Sequence, residues 1–265
     1  MKWIISVFLF LFVSYASSSV VIYKSTTTTL GLEENDKVDL ISSTLLGGSI
    51  ESGNSSPADC VVKFKLKQIP EGFSASLLPF SSDVMGYSEK EQGIASLEIK
   101  KGDKNHITLI SEDLDVCAIG SNFSGDYEIV YKTTSDYHVY FNELIKANYV
   151  NALKLFKVHN LSSAIDSLEP YMAESLIDNY YDVEIYNDYG FFLQQANRPS
   201  EAVKYLTIVI NRNPNRTPAY LNLADSYWDI GNKSVAKVTY KKYVELMHKL
   251  GQSKMIPLRA MDRTL

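Results

Sequence analysis

The chain has 265 residues, of which 45% are hydrophobic and 22% charged, with a net charge of −5. That composition excludes a disordered polymer and leaves enough chain for one or two cored domains. The acidic balance excludes a general nucleic-acid binder, which needs clustered Lys and Arg. Two cysteines and four histidines exclude a four-cysteine zinc site, an iron–sulfur centre and a disulfide-dense scaffold.

The first element is an export signal over residues 1–16. Lys2 precedes an apolar run from Trp3 to Val13, and the small residues Ser14 and Ala16 occupy the −3 and −1 positions of a signal-peptidase site. The run is about 11 residues, whereas a bilayer span needs about 20. No later stretch is long enough to span, so no stable membrane insertion is expected once the signal is removed. The expected location is periplasmic or secreted.

Residues 20–134 read as strands. Val20–Tyr23, Val38–Leu45, Cys60–Leu66, Phe73–Leu78, Ala95–Ile99, His106–Ile110 and Tyr127–Tyr131 are rich in β-branched and aromatic residues. Val62, Phe64 and Leu66 alternate with Lys63, Lys65 and Lys67, so the two sets are expected to point to opposite faces. Turn clusters at 47–48, 51–57 and 101–105 separate the runs. The acidic pairs Glu33-Glu34 and Glu112-Asp113 lie in turn-like stretches and are expected to be solvated. Cys60 and Cys117 are the two cysteines, and in an exported chain they are expected to form a structural disulfide. Such a bridge closes a loop of about 58 residues, a stabilisation on the order of 4 kcal/mol in the chain-entropy model. Seven short strands and one bridge imply an all-β sandwich or small barrel.

Residues 137–250 switch to helical spacing, with Ser135 or Asp136 placed to cap the first helix. Gly190, Ala202 and Pro214 fall 12 residues apart, and the surrounding pattern recurs every 34. With Val183 at position 1, Tyr189, Gly190, Leu193, Ala202, Leu206 and Val209 take positions 7, 8, 11, 20, 24 and 27. Thirty-four residues on stand Leu223, Ala224, Tyr227, Ala236, Tyr240 and Tyr243; an earlier copy from Ile145 has Ala152, Leu155, Ala164, Leu168 and Tyr171. The sequence resembles the tetratricopeptide-repeat family over about 145–250, in three copies. The first copy departs most, with Asn148 and Asn151 where larger residues are usual, so its helices are expected to face the β domain. About four extra residues follow it, around 178–182. Residues 251–265 are a tail or a cap on the last helix.

The resemblance implies an all-α solenoid in which small residues let paired helices approach and large ones fill the space between pairs. It also implies a concave groove lined by the first helix of each repeat. The groove residues are then Glu184, Asn187, Asp188, Phe191, Gln194, Asn222, Asp225, Trp228 and Asp229. This acidic, amide-rich wall with two aromatic anchors suits a protein or peptide partner that carries Lys or Arg. It departs from the Lys/Arg clamp with which some family members hold a C-terminal carboxylate. A second, shorter resemblance covers 117–127, which is similar to the closing segment of small disulfide-bonded periplasmic domains, including lysozyme-inhibitor-like ones. The alternative there is a tight turn at Gly125 leading into a strand with Tyr127 and Ile129 in the core.

No nucleophile elbow, P-loop, paired metal histidines or dinucleotide fingerprint occurs, and no catalytic residue, metal or cofactor is expected. Asp113-Leu114-Asp115 starts like a calcium loop but has Cys117 at its fifth position and no glycine at its sixth. Five Asn-x-Ser/Thr sequons occur, at Asn54, Asn122, Asn160, Asn215 and Asn232. The function expected is that of an exported, non-enzymatic protein-binding module that uses the groove and the β domain. Two alternatives stay open: an inhibitor or immunity protein that neutralises a secreted hydrolase or toxin, and an envelope enzyme of unknown reaction.

Overall fold

The computed structural model describes residues 19–35, 40–47, 49–50, 60–81, 86–87, 96–103, 105–112, 116–117 and 121–264. The expected export signal over 1–16, the turn cluster at 51–57 and the acidic stretch at 113–115 lie outside the described residues.

Eight antiparallel strands close into a barrel. They are β1 (Ser19–Lys24), β2 (Thr28–Asn35), β3 (Leu40–Gly47), β5 (Cys60–Ile69), β6 (Gly72–Leu78), β9 (Ser96–Lys101), β10 (His106–Glu112) and β12 (Gly125–Ile129). Each pairs with the next barrel strand in the chain, and β12 returns to β1 through Tyr23 opposite Ile129. Four two-residue strands decorate it: β4 (Ser49–Ile50) pairs with β11 (Ser121–Asn122), and β7 (Phe80–Ser81) with β8 (Gly86–Tyr87). Of the two architectures left open by the sequence, the chain forms the barrel, which has no free edge to protect.

Register explains the core. Leu30, Leu45 and Val62 lie side by side across β2, β3 and β5, and Phe64 faces Leu77 on β6. Phe73 and Leu109 flank Ile99, and Ile107 faces Tyr127. These inward side chains are buried together. Burial of each large apolar side chain contributes about 1.5–3 kcal/mol. The Tyr127 hydroxyl donates to the Phe123 carbonyl at 2.7 Å, which satisfies its one polar atom. Cys60, the first residue of β5, is disulfide-bonded to Cys117.

The strand Thr28–Asn35 was not expected from the sequence. Leu30 and Leu32 are its one apolar alternation, too short to mark a strand, and its outward residues include Gly31 and Glu33. The reason is that the outer face of β1, β2, β3 and β5 is buried a second time, beneath helices. Val20 and Ile22 point outward into the helical core cluster. A Cβ on Gly31 would stand 3.0 Å from the Tyr171 hydroxyl and 3.1 Å from a Leu144 methyl. Glycine here lets helices approach the sheet.

The helices are α1 (Ser135–Lys157), α2 (Leu161–Ile177), α3 (Val183–Gln195), α4 (Pro199–Arg212), α5 (Thr217–Asp229), α6 (Lys233–Lys249) and the short α7 (Leu258–Asp262). α1 starts at Ser135, with Thr134 at the capping position and no side-chain cap. Asn160, Asp182 and Asn232 cap α2, α3 and α6 by accepting backbone N–H bonds. Both asparagines are sequon residues. α1 pairs with α2, α3 with α4 and α5 with α6, in the solenoid order that the 34-residue spacing implies. Gly190 sits where a Cβ would come within 2.6 Å of Leu206 Cγ on α4, so position 8 of this copy has no room even for a methyl group. The extra residues 178–182 are pinned by Tyr180, which donates to Asn142 Oδ1 at 2.9 Å, and by Tyr181, which donates to Asn213.

α1 and α2 face the barrel. Here one sequence expectation is corrected: Glu33 is 1% exposed and not solvated. Lys63 is buried as well, although Lys65 and Lys67 are exposed. Glu33 and Lys63 form an ion pair at 2.6 Å under the helices. Ser42 and the Tyr171 hydroxyl also donate to Glu33, at 2.7 and 2.6 Å, and Lys63 donates to Asn148 Oδ1 at 2.6 Å. Asn151 accepts from the Ser81 backbone N–H at 2.9 Å. The unusual asparagines of the first repeat copy therefore serve the seam with the barrel. Burial, and next to it the Glu33 carboxylate, holds the Tyr171 hydroxyl far above the usual tyrosine range, so it remains a donor.

Candidate functional site: the concave wall

α1, α3 and α5 are the first helices of the three pairs, and cross-helix hydrogen bonds link their side chains. Asp182 accepts from the Glu184 and Ile185 backbone N–H groups at 2.9 and 3.1 Å and so sets where α3 begins. One turn on, Asp188 accepts from the Tyr149 hydroxyl of α1 at 2.7 Å and from Asn187 Nδ2 at 3.0 Å. Burial first, and then the Asp188 carboxylate, raises the Tyr149 pKa well above the usual tyrosine range, so this hydroxyl also stays a donor. Asn187 is buried, and its Oδ1 has no hydrogen-bond partner among the described residues.

Phe191 is half-buried and meets Phe156 of α1 edge to face, with centroids 5.6 Å apart. Gln194 at the end of α3 donates to Asp229 Oδ2 of α5 at 3.1 Å. Glu184 is paired with Arg216, which precedes α5. Asn222 is half-buried on α5, and its backbone carbonyl accepts from Ser226 Oγ at 2.8 Å.

Asp225 is buried, and basic residues of the same chain hold it. Arg259 donates to Asp225 Oδ2 at 2.8 Å, Arg263 donates to Oδ1 at 3.2 Å, and the Tyr240 hydroxyl donates to the same carboxylate. The ion pair with Asp225 raises the Arg259 pKa, so the guanidinium is charged at any working pH. Trp228 lies between two cations, with Lys233 Nζ 3.8 Å and the Arg263 guanidinium 4.5 Å from its rings. A hollow of about 420 Å³ remains, lined by Gln194, Gln195, Asp225, Asp229, Arg259 and Arg263.

All nine groove residues named from the spacing lie on α3 and α5. The structure links Asp188 to α1, Gln194 to Asp229, and Asp225 and Trp228 to the tail. Sequence reasoning did not place Arg216, Arg259 and Arg263 against the wall. The available signal was that Arg259 and Arg263 stand four residues apart, on one side of a helical turn.

Two further clefts flank the barrel. One of about 730 Å³ opens at its rim beside Lys24, His106, Asp126, Tyr131 and Tyr140. One of about 300 Å³ opens between β5 and α2, beside Lys65, Asn160, Ser163 and Asp166. Among the described residues no group of three or more His, Cys, Asp or Glu side chains is placed to hold a metal ion, and no helix is long and apolar enough to cross a membrane.

The helices stack in consecutive antiparallel pairs, the build of a helical-repeat scaffold. Residues 217–246, which span α5 and most of α6, match the tetratricopeptide repeat family, so the chain carries that repeat. No curated protein matches the chain. Among solved structures, the chain is similar to the first repeat domain of Spaghetti (RPAP3) bound to the HSP90 peptide SRMEEVD. That match is 16% identical, with a TM-score of 0.36, and covers 43% of this chain and 90% of the other. The first repeat domain of human RPAP3 is 14% identical, with a TM-score of 0.38, over 46% of this chain and 93% of its own. PcrH from Pseudomonas aeruginosa is 12% identical, with a TM-score of 0.39, over 46% and 89%.

Proposed function

We propose that the chain is a non-enzymatic binding module that holds a segment of another protein against the concave wall of α1, α3 and α5. The observation that carries this reading is the bonded continuity of that wall. Tyr149 ties α1 to α3 through Asp188, and Gln194 ties α3 to α5 through Asp229. Polar groups fixed before a partner arrives lose less entropy when they bind it. Half-buried Phe191 offers an apolar anchor beside the Asp188 and Gln194 side chains.

The partner segment is basic on this reading. Asp188 and Asp229 carry carboxylates whose neighbours in the wall are neutral donors, and the chain's own arginines already seat against Asp225 and Trp228. The disulfide and the N-terminal signal pattern support action in an oxidising compartment, outside the cytoplasm.

The test is affinity capture with the full chain, beside a variant carrying Asp188→Lys and Asp229→Lys. The expected result is one identified protein retained by the first and lost by the second. Equal retention of that protein by both chains overturns the concave-wall reading.

A further inference from the structure

α7 is five residues long and buries one side chain, Ala260. Leu258 is 80% exposed, and Met255 and Met261 are exposed as well. Ile256 packs partly against the core of α5 and α6. What holds the segment is therefore chiefly polar. Arg259 grips Asp225 through Nη2 at 2.8 Å and through Nε at 3.2 Å. Arg263 adds Nη1 to the same carboxylate at 3.2 Å, donates to the Tyr240 hydroxyl at 2.6 Å, and covers Trp228. The connection back to α6 passes Gly251, whose φ of +71° ends that helix, and an exposed turn at Ser253–Met255.

We propose that Leu258–Arg263 is an internal ligand, displaced by a helical segment of the partner that carries two basic side chains four residues apart. This rests on the reading of the concave wall as the binding surface, and it names both the partner's chemistry and how access is controlled. Half-exposed ion pairs are weak, and one buried alanine adds little, so opening α7 is cheap relative to opening any other helix. Once α7 leaves, Asp225 faces the solvent beside Tyr240 and Trp228. A carboxylate next to aromatic faces is a receptor for a guanidinium or ammonium group. While α7 is docked, the apparent affinity of a competing segment is reduced by the fraction of molecules that are open.

The probe is a fluorescein-labelled synthetic peptide copying residues 253–264, titrated by anisotropy against the full chain. The expected result is binding at least tenfold tighter to the Arg259→Ala/Arg263→Ala chain than to the parent, with loss of binding when Asp225→Asn is added. A second measurement uses the parent chain alone: saturating peptide should speed amide hydrogen exchange at 259–264. This decides the matter even if the double variant folds poorly. Equal, Asp225-dependent affinities with unchanged exchange would overturn the internal ligand and leave the wall standing. Absence of binding to a folded double variant, with exchange in the parent unchanged, would overturn both readings.

Discussion

Glu33–Lys63 and Asp225–Arg259–Arg263 are both ion-pair clusters packed against helices, one on the barrel and one at the far end of the stack, and they differ in solvent access. At the barrel Lys63 and Glu33 are almost fully enclosed, at 6% and 1% exposure. At the far end the carboxylate is covered, but Arg259 remains 48% exposed. An enclosed pair is costly to break because the remaining charge is stranded away from water, whereas a half-open pair exchanges one hydrated state for another. The same chemistry thus makes a lock in one place and a release in the other.

The enclosed pair predicts the largest effect. Lys63→Met or Glu33→Gln should each lower stability by about 3–5 kcal/mol in denaturant unfolding. The double variant should lose less than the sum of the two, and an additive result would break the comparison. Away from both clusters, Gly190→Ala tests packing alone. It gains about 1 kcal/mol of helix propensity and meets Leu206 at a clash costing about 1–3 kcal/mol, so a net loss of about 1 kcal/mol is expected. At the half-open cluster, Arg259→Ala should cost less than about 1 kcal/mol, read as a small shift of the urea midpoint. A loss as large as that of Lys63→Met would show that α7 is locked.

Asp166 gives the smallest effect, and of opposite sign. Burial on α2, and next the Glu169 carboxylate, raises its pKa. A carboxyl with a raised folded pKa destabilises the native state above that pKa, and the penalty disappears as the pH falls below the unfolded value. Asp166→Asn should therefore raise the thermal midpoint slightly at pH 7. The gain should shrink on acidification through the carboxyl range, and a gain independent of pH would exclude this cause.

How much was legible follows from where each side chain's neighbour lies in the chain. The solenoid was legible because Gly190, Ala202, Leu206 and their counterparts recur at fixed local spacing and meet residues one helix away. The inward barrel residues were legible for the same reason, with period two in place of 34. Glu33 was misread because what buries it, Tyr171 on α2, lies far downstream, and no local pattern announces a strand covered on both faces. Thr28–Asn35 was missed on the same account. The placement of the nine named positions on two helices followed from the repeat spacing, but the pairing of Asp225 with the tail did not. Arg259 and Arg263 lie beyond Pro257, where the 34-residue spacing has ended and one short turn shows no period.

The enclosed cluster has a consequence for how such a chain could arise or be rebuilt. Each half supplies polar atoms that the other must satisfy: Glu33, Ser42 and Lys63 from the barrel, Asn148 and Tyr171 from the first repeat. A barrel transplanted onto foreign helices, or these helices onto a foreign sheet, would carry unmet hydrogen-bonding groups into a dry joint. The two halves are therefore heritable as one part.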